Sequence, residues 1–239
     1  NLKVDLNELS NIYSLSLLDE KRIFDDFPDV FSDKLGCFNQ KKIKLHLKDP
    51  NVKPIFHRPR PLPFSLQDKV AEEIQDLVKQ DVLIPVESSE WSSPVVPVIK
   101  PNGKLRLCGD YKVTINKHLQ VDRYPVPRVN DLISTLEKGT IWSKLDLSSA
   151  YLQFELDEES QKLVTISTHK GLFTYKRLPF GPASSPGLFL REIENLFINM
   201  EGVKVFFDDI ILTGKDEMEH FQRLVLILTK LREVGLTLQ

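Results

Sequence analysis

Two adjacent aspartates, Asp208 and Asp209, lie between two short apolar runs at residues 203–207 and 210–212. The runs are typical of β-strands, and the aspartates of the tip of a tight hairpin that joins them. Like charges a few ångströms apart repel, and a bound divalent cation would remove that repulsion. The pair is therefore a candidate metal site, although Asp-Asp is also an ordinary turn dipeptide.

A third carboxylate, Asp146, stands near the end of a predicted strand over residues 141–147. With residues 150–180 set aside as an excursion that holds a second hairpin, the order of elements from 141 onward is β-α-β-β-α-β, the ferredoxin-like pattern. In that topology the strands 141–147 and 210–212 are neighbours. Asp146 and Asp208 are therefore expected at one edge of the sheet.

Three carboxylates without His or Cys suit hard cations such as Mg²⁺ or Mn²⁺. Two such ions can clamp an in-line displacement at phosphorus, with one activating the attacking hydroxyl and the other holding the triphosphate and leaving group. We therefore predict Asp146, Asp208 and Asp209 as the catalytic and metal-binding residues. The predicted cofactor is a pair of Mg²⁺ (or Mn²⁺) ions.

The first half of the chain is predicted to supply a basic surface. Residues 41–130 carry sixteen Lys or Arg and ten Asp or Glu, whereas the whole chain has a net charge of −2. The stretch therefore has a net charge of +6. It could form a surface that binds a polyanion, or an ordinary solvated surface.

The elements predicted in the first half are a period-two strand, a helix, a hairpin and a short helix. A proline-rich extended stretch separates the first strand from the first helix. In chain order the elements cover residues 41–47, 65–80, 95–108 and 128–138. No apolar run approaches ~20 residues and no signal-peptide pattern is present, so a cytoplasmic protein without membrane contact is expected.

Six ordered motifs then carry a specific resemblance. They are WSSPVVPV at 91–98, GKLRLCGDY at 103–111, YPVPR at 124–128, SKLDLSSAY at 143–151, LPFG at 178–181 and FFDDI at 206–210. Residues 55–239 resemble the reverse transcriptase of gypsy-type long-terminal-repeat retrotransposons. Residues 1–54 resemble, less specifically, the segment that precedes the polymerase in such polyproteins.

The resemblance implies an α+β fingers–palm fold with a ferredoxin-like palm. Residues 1–54 would be a pre-polymerase segment, 55–140 mainly fingers, and 141–239 palm with a fingers excursion at 150–180. Because the chain stops where the fourth core strand begins, the palm is expected to be truncated and the thumb absent. The implied activity is RNA-directed DNA synthesis on a primed RNA or DNA template from deoxynucleoside triphosphates, in a retrotransposon particle.

Six more residues take nucleotide-binding roles from the resemblance: Arg106, Lys100, Lys104, Tyr151, Phe180 and Gly181. Arg106 and the two lysines would grip the triphosphate from the fingers hairpin, where a planar Arg fork suits phosphate oxygens. Tyr151 would stack under the incoming sugar and exclude a 2′-hydroxyl. Phe180 and Gly181 would border the nucleotide and template.

The sequence departs from the family at four positions. Leu152 stands where the family commonly has His, although Gln153 after it fits the pattern. Phe206 and Phe207 replace a Tyr and a smaller aliphatic residue ahead of the aspartates, and Gly109 replaces an aliphatic residue, which predicts a looser fingers strand. A second hypothesis is therefore that the chain is a decayed or repurposed nucleic-acid-binding fragment without catalytic activity. It is motivated by these departures, by the missing start and by the short palm. A palm-type nucleotide cyclase is a third alternative because it shares the ferredoxin-like frame, but no part of this sequence matches the nucleotide-base pocket of such enzymes.

Overall fold

The computed structural model describes residues 20–99, 103, 105–121, 124, 136 and 139–239. The α-helices are α1 (Glu20–Asp26), α2 (Phe64–Lys79), α3 (Glu158–Leu163), α4 (Ser185–Phe197) and α5 (Glu217–Val234). The strands are β1 (Leu83–Val86), β2 (Ser93–Ile99), β3 (Leu105–Gly109), β4 (Ile141–Asp146), β5 (Thr165–Thr168), β6 (Gly171–Tyr175), β7 (Val203–Phe206) and β8 (Asp209–Gly214).

The chain divides into two compact units. The first comprises the described residues of Asn1–Gly36, Val126–Ser148 and Glu192–Gln239, and the second those of Cys37–Pro125 and Ser149–Arg191. The predicted excursion at 150–180 thus returns the chain to the second unit. Each unit contains its own sheet.

The sheet of the first unit has the order β4-β8-β7, with both pairings antiparallel. This confirms that the strands carrying Asp146 and Asp209 are neighbours. Val203, Val205, Ile210 and Leu212 are buried on one face of the sheet, because successive side chains of a strand point to opposite faces. The opposite face carries the charged residues.

Helix α5 packs against β8 on that buried face. Asp216 caps its N-terminus by accepting a hydrogen bond from the Glu219 amide at 2.8 Å, and Gly235 ends it with a φ of 76°. Glycine suits this left-handed position since it has no Cβ to clash.

The last residues complete a β-α-β-β-α-β order through a short contact. Leu238 forms a single β-bridge with Leu147, and the Gln239 amide donates to the Asp146 carbonyl at 2.9 Å. The predicted final strand is therefore represented by this bridge.

The sheet of the second unit has the order β1-β6-β5-β2-β3 in the described residues. Its neighbours are antiparallel except β2 and β5, which run parallel through Ser93↔Ile166 and Pro94↔Ser167. Helix α2 buries Val70, Ile74 and Leu77, spaced as one helical face requires.

Several predicted boundaries were wrong. The helix predicted over 65–80 begins at Phe64, directly after Pro63, and ends at Lys79. Residues 41–47 keep the predicted alternation of burial but form only single bridges, Ile43↔Leu156 and Leu47↔Leu119. Helix α3, capped by Asp157, was not predicted, because its six residues are too few to show a helical period.

Parts of some predictions lie outside the described residues. They are residues 1–19, the turn at 101–102 and the helix at 128–138 apart from residue 136. No helix among the described residues combines the length and apolar character needed to cross a membrane.

Candidate active site

The hairpin that carries the aspartate pair turns one residue earlier than predicted. Phe206 pairs with Asp209, which leaves Phe207 and Asp208 as the two-residue loop. Phe207 has a φ of 55°, the left-handed region that the first position of such a loop demands and that a bulky residue seldom adopts. Asp208 therefore lies at the tip, and Asp209 is the first residue of β8.

The sheet register brings the carboxylates to one end of the first unit. Asp146 and Asp209 are direct partners across β4 and β8, so their side chains project from the same face. Asp208 is adjacent in the loop, where its carbonyl accepts a hydrogen bond from the Leu147 amide at 3.4 Å. This is the juxtaposition predicted from the topology.

The carboxylates do not converge on one point. Among the described residues, no three carboxylate, imidazole or thiolate side chains are arranged to hold a single metal ion. The donor chemistry nevertheless fits Mg²⁺ or Mn²⁺, since these carboxylates provide only oxygen ligands. Burial, and then repulsion from Asp208 and Asp209, raises the pKa of Asp146 above its ordinary 3.8.

Lys144 supplies the counter-charge in this arrangement. Its Nζ lies 2.9 Å from Oδ1 and 3.0 Å from Oδ2 of Asp209. Lys144 is two residues before Asp146 on β4 and thus diagonal to Asp209 on the same face, within reach of a long side chain. The hydrogen bond and charge of Asp209 raise the pKa of Lys144. Sequence reasoning missed this residue, although its period-two spacing from Asp146 was a usable signal.

The second unit gathers three of the predicted nucleotide-binding residues. The Arg106 guanidinium on β3 lies over the Phe180 ring, with Cζ 4.8 Å from the centroid. The Phe180 ring in turn contacts Tyr151 at a centroid distance of 4.6 Å. Tyr151 also stacks on Phe189 at 4.7 Å. The Arg106 Nε is buried without a hydrogen-bond partner among the described groups, so the aromatic face is its evident support.

Two glycines leave room beside this cluster for Tyr111. A Cβ at Gly109 would lie 2.6 Å from Tyr111 Cζ, and one at Gly181 would lie 3.0 Å from Tyr111 Cδ2. Gly181 also has a φ of 109°. The Tyr111 side chain is buried and donates to the Val164 carbonyl at 3.2 Å, and burial raises its pKa well above the ordinary value. We predicted that Gly109 would loosen the fingers strand. Instead, the absence of a side chain at Gly109 leaves the space that the Tyr111 ring occupies.

Lys100 and Lys104, the other two predicted triphosphate ligands, lie outside the described residues. Phe189 is the member of the aromatic cluster that sequence reasoning missed. Its position in an apolar helix is also that of an ordinary core residue, and the pattern carried no separate signal.

Two relatives of known sequence are much longer than this chain. An uncharacterized protein of Caenorhabditis elegans is 37% identical over 218 residues, which cover 90% of this chain and 17% of that protein. The retrovirus-related Pol polyprotein from transposon 412 of Drosophila melanogaster is 33% identical over 229 residues, 91% of this chain and 18% of the polyprotein. The chain thus spans less than a fifth of the length of these relatives.

Solved structures show the same fold. Native prototype foamy virus protease-reverse transcriptase matches with a TM-score of 0.81 and 25% identity, over 91% of this chain and 29% of that one. The foamy viral protease-reverse transcriptase in complex with double-stranded DNA matches with a TM-score of 0.83 and 24% identity, over 98% of this chain and 42% of that one. The α+β architecture is accordingly that of a fingers–palm fragment.

Residues 98–239, more than half of the chain, match the family model described as reverse transcriptase (RNA-dependent DNA polymerase). This stretch includes the hairpin carboxylates, Asp146, and the Arg106, Tyr151 and Phe180 cluster. By sequence and by fold, the chain belongs to the reverse transcriptase family.

Proposed function

We propose that the chain is the fingers and palm portion of an RNA-directed DNA polymerase encoded in a gypsy-type retrotransposon polyprotein. It would extend a primer on an RNA or DNA template with deoxynucleoside triphosphates, in a retrotransposon particle. The observation that supports this most is the register of β4 and β8, which sets Asp146 opposite Asp209 and beside Asp208.

The three carboxylates are the proposed metal ligands. Asp146 and Asp208 are exposed and would be the main ligands, whereas Asp209 is engaged by Lys144 and would be more peripheral. Two Mg²⁺ or Mn²⁺ ions, when bound there, would lower the pKa of the attacking hydroxyl and neutralise the triphosphate. In the metal-free protein, the Lys144 ammonium balances part of the negative charge of the three carboxylates by its contact with Asp209.

The second unit would bind the nucleotide. Arg106 presents a planar fork suited to phosphate oxygens, and its stack on Phe180 limits the orientations of that fork. Tyr151, held between Phe180 and Phe189, would provide a rigid face under the sugar. Gly181 would let the backbone approach the nucleotide and template, and Lys100 and Lys104 would add charge for the triphosphate.

The proposed domains keep the limits expected from the resemblance. Residues 1–54 would precede the polymerase, 55–140 would be mainly fingers, and 141–239 would be palm with the 150–180 excursion. That excursion and most of 55–140 fall in one compact unit, which supports this division.

Primer extension tests the proposal. The purified chain, alone and extended by the sequence that follows it in its gene, is assayed with Mg²⁺ or Mn²⁺ on a primed template. Asp208→Asn should lower incorporation by about 100-fold or more, because a neutral amide is a poor ligand for hard cations. The control is Asp68→Asn, which removes the same charge from an exposed position on α2. Undiminished incorporation by Asp208→Asn would disprove the metal-site assignment.

A nucleic-acid-binding fragment without catalysis is the second candidate function. It is favoured by Phe207, an exposed bulky residue directly before Asp208 with a φ of 55°, a backbone conformation that such residues seldom adopt. Template binding across a salt series with no incorporation at any metal concentration would support it. Measurable primer extension by the chain would exclude it.

A further inference from the structure

A cavity of about 490 Å³ in the second unit is lined by residues with no assigned function. The lining residues are Lys44, His46, Gln120, Val121, Ser184, Leu188 and Arg191. This volume falls in the range of small-ligand sites. The lining contains a lysine, an arginine and a histidine but no carboxylate, so its charge favours a negatively charged occupant.

One wall is built by the segment around residues 43–48. Ile43 and Leu45 are buried while Lys44 and His46 are exposed, since period-two alternation places 44 and 46 on the same side. Backbone hydrogen bonds fix this segment, including the Gln120 amide to the His46 carbonyl at 2.7 Å and the Lys48 amide to the His118 carbonyl at 2.8 Å. The two basic side chains therefore extend from an anchored backbone.

The other wall is the start of helix α4. Ser184, Leu188 and Arg191 are separated by four and three positions, so they share one helix face. The Leu188 amide donates to the Ser184 carbonyl at 3.0 Å, which makes Ser184 the N-cap of the helix. Its hydroxyl is buried and has no hydrogen-bond partner among the described groups. The positive end of the helix dipole adds to the cations at this wall.

We infer that this cavity binds a backbone phosphate of a single-stranded nucleic acid. Lys44 and Arg191 would contact the phosphate oxygens from opposite walls, and His46 and Gln120 would add polar contacts. Leu188 and Val121 offer apolar surface for the sugar or base of the same nucleotide. The basic stretch at 41–130, with a net charge of +6, would continue the track on either side of one site.

This inference rests on the proposed function only in choosing nucleic acid as the occupant. Its readout is binding without incorporation, so a failure of the metal-site test would leave it standing. An acidic peptide would meet the same cations, and the experiment separates the two.

The test measures fluorescence anisotropy of a labelled single-stranded oligonucleotide with the 239-residue chain over a series of KCl concentrations. The logarithm of the association constant falls linearly with the logarithm of the salt concentration. Removing one cation that binds a phosphate should make this slope less steep, lowering its magnitude by about one. Lys44→Gln should therefore lower it by about one, and Lys44→Gln with Arg191→Gln by about two. Lys69→Gln is the matched control, since it removes a charge from an exposed position of α2 in the same unit. Equal slopes for Lys44→Gln and Lys69→Gln would overturn the inference.

Two further measurements test whether the variants are folded and whether the cavity binds a different ligand. Thermal unfolding checks that each variant is folded. If Arg191→Gln is unfolded, the double variant Lys44→Gln with His46→Gln replaces it in the salt series, because both of these residues are exposed. Inorganic phosphate should displace the oligonucleotide only in proportion to its ionic strength. Displacement at much lower concentration would assign the cavity to a free phosphate, and equal competition by polyglutamate would assign it to an acidic peptide. Either result would overturn the strand assignment.

Discussion

At the scale of single residues, the charge balance of the first unit depends on Lys144. The sheet register holds Asp146 and Asp209 face to face with Asp208 beside them, and both oxygens of Asp209 lie within 3.0 Å of the Lys144 ammonium. A divalent cation would bring the same kind of charge to the same carboxylates. Lys144 should therefore stabilise the metal-free protein and oppose metal binding.

Lys144→Met should lower the melting temperature of the metal-free chain, because carboxylate repulsion is then unbalanced. The same variant should bind Mn²⁺ roughly two- to fivefold more tightly, the size of effect expected when a surface ion pair no longer competes. Differential scanning fluorimetry and a Mn²⁺ titration followed by electron paramagnetic resonance provide the measurements.

Lys204→Met is the matched control for this prediction. Lys204 and Lys144 both pair with Ile211, from opposite sides of β8, so they share a sheet face and a register position. A control that changes Mn²⁺ affinity as much as Lys144→Met would show a general charge effect and contradict a specific role for Lys144.

At the scale of elements, the β3 strand and the residues that follow it are fitted together by Gly109. The strand ends at Gly109, and the chain returns through a 3-10 turn at Tyr111–Val113 that places the Tyr111 ring against the strand. A side chain at 109 would occupy the space of that ring. The glycine is thus a packing requirement of the second unit.

Gly109→Ala should destabilise the chain by roughly 2 kcal/mol, the usual cost of overpacking a closed site. The substitution should cost less in a Tyr111→Leu background, where the clashing ring atoms are gone. Urea unfolding of both single variants and the double variant measures this coupling. Costs that simply add would contradict the proposed contact.

At the scale of the whole molecule, the first unit joins residues that are distant in the chain. Arg232 on α5 binds Asp29 through Nε and Nη2 at 2.8–3.0 Å. The Arg232 guanidinium lies 4.3 Å from the Phe27 ring centroid and also hydrogen-bonds the Asp26 carbonyl. A nearby contact has the Leu238 amide donating to the Val30 carbonyl. These contacts attach the segment after α1 to the last part of the chain.

This attachment should be sensitive to acid. The hydrogen bond from Arg232 lowers the pKa of Asp29 below its ordinary 3.8, so the unfolded chain takes up the proton at higher pH than the folded protein does. The ion pair therefore contributes its full stability above pH 3.8 and loses it as the pH falls through the folded pKa. Because both side chains are substantially exposed, Asp29→Asn should cost only about 0.5 kcal/mol at neutral pH.

Urea unfolding across an acidic pH series measures this effect. The difference between wild type and Asp29→Asn should shrink as the pH falls below 3.8. Asp33→Asn, a nearby exposed aspartate, is the control. A difference that persists unchanged at the lowest pH would show that Asp29 acts through something other than its charge.

Local patterns allowed much of the fold and the choice of site residues to be predicted. Short apolar, β-prone runs located β7 and β8, and the β-α-β-β-α-β order placed β4 beside β8. Apolar periodicity located the body of α2, because one buried helix face imposes its period on the sequence. Helix α3 and the true start of α2 carried weaker signals, since a few residues or a neighbouring proline leave the period undefined.

The sequence by itself determined the family, the carboxylate set and the strand order that makes Asp146 a neighbour of the hairpin. These follow from residue types and their order along the chain. Only the tertiary structure decided that Phe207 and Asp208, rather than the two aspartates, form the hairpin loop, that Lys144 pairs with Asp209, and that Phe180 supports Arg106. Register, charge pairing and ring stacking join residues across strands and loops, and no periodicity along one segment encodes which distant atoms will meet.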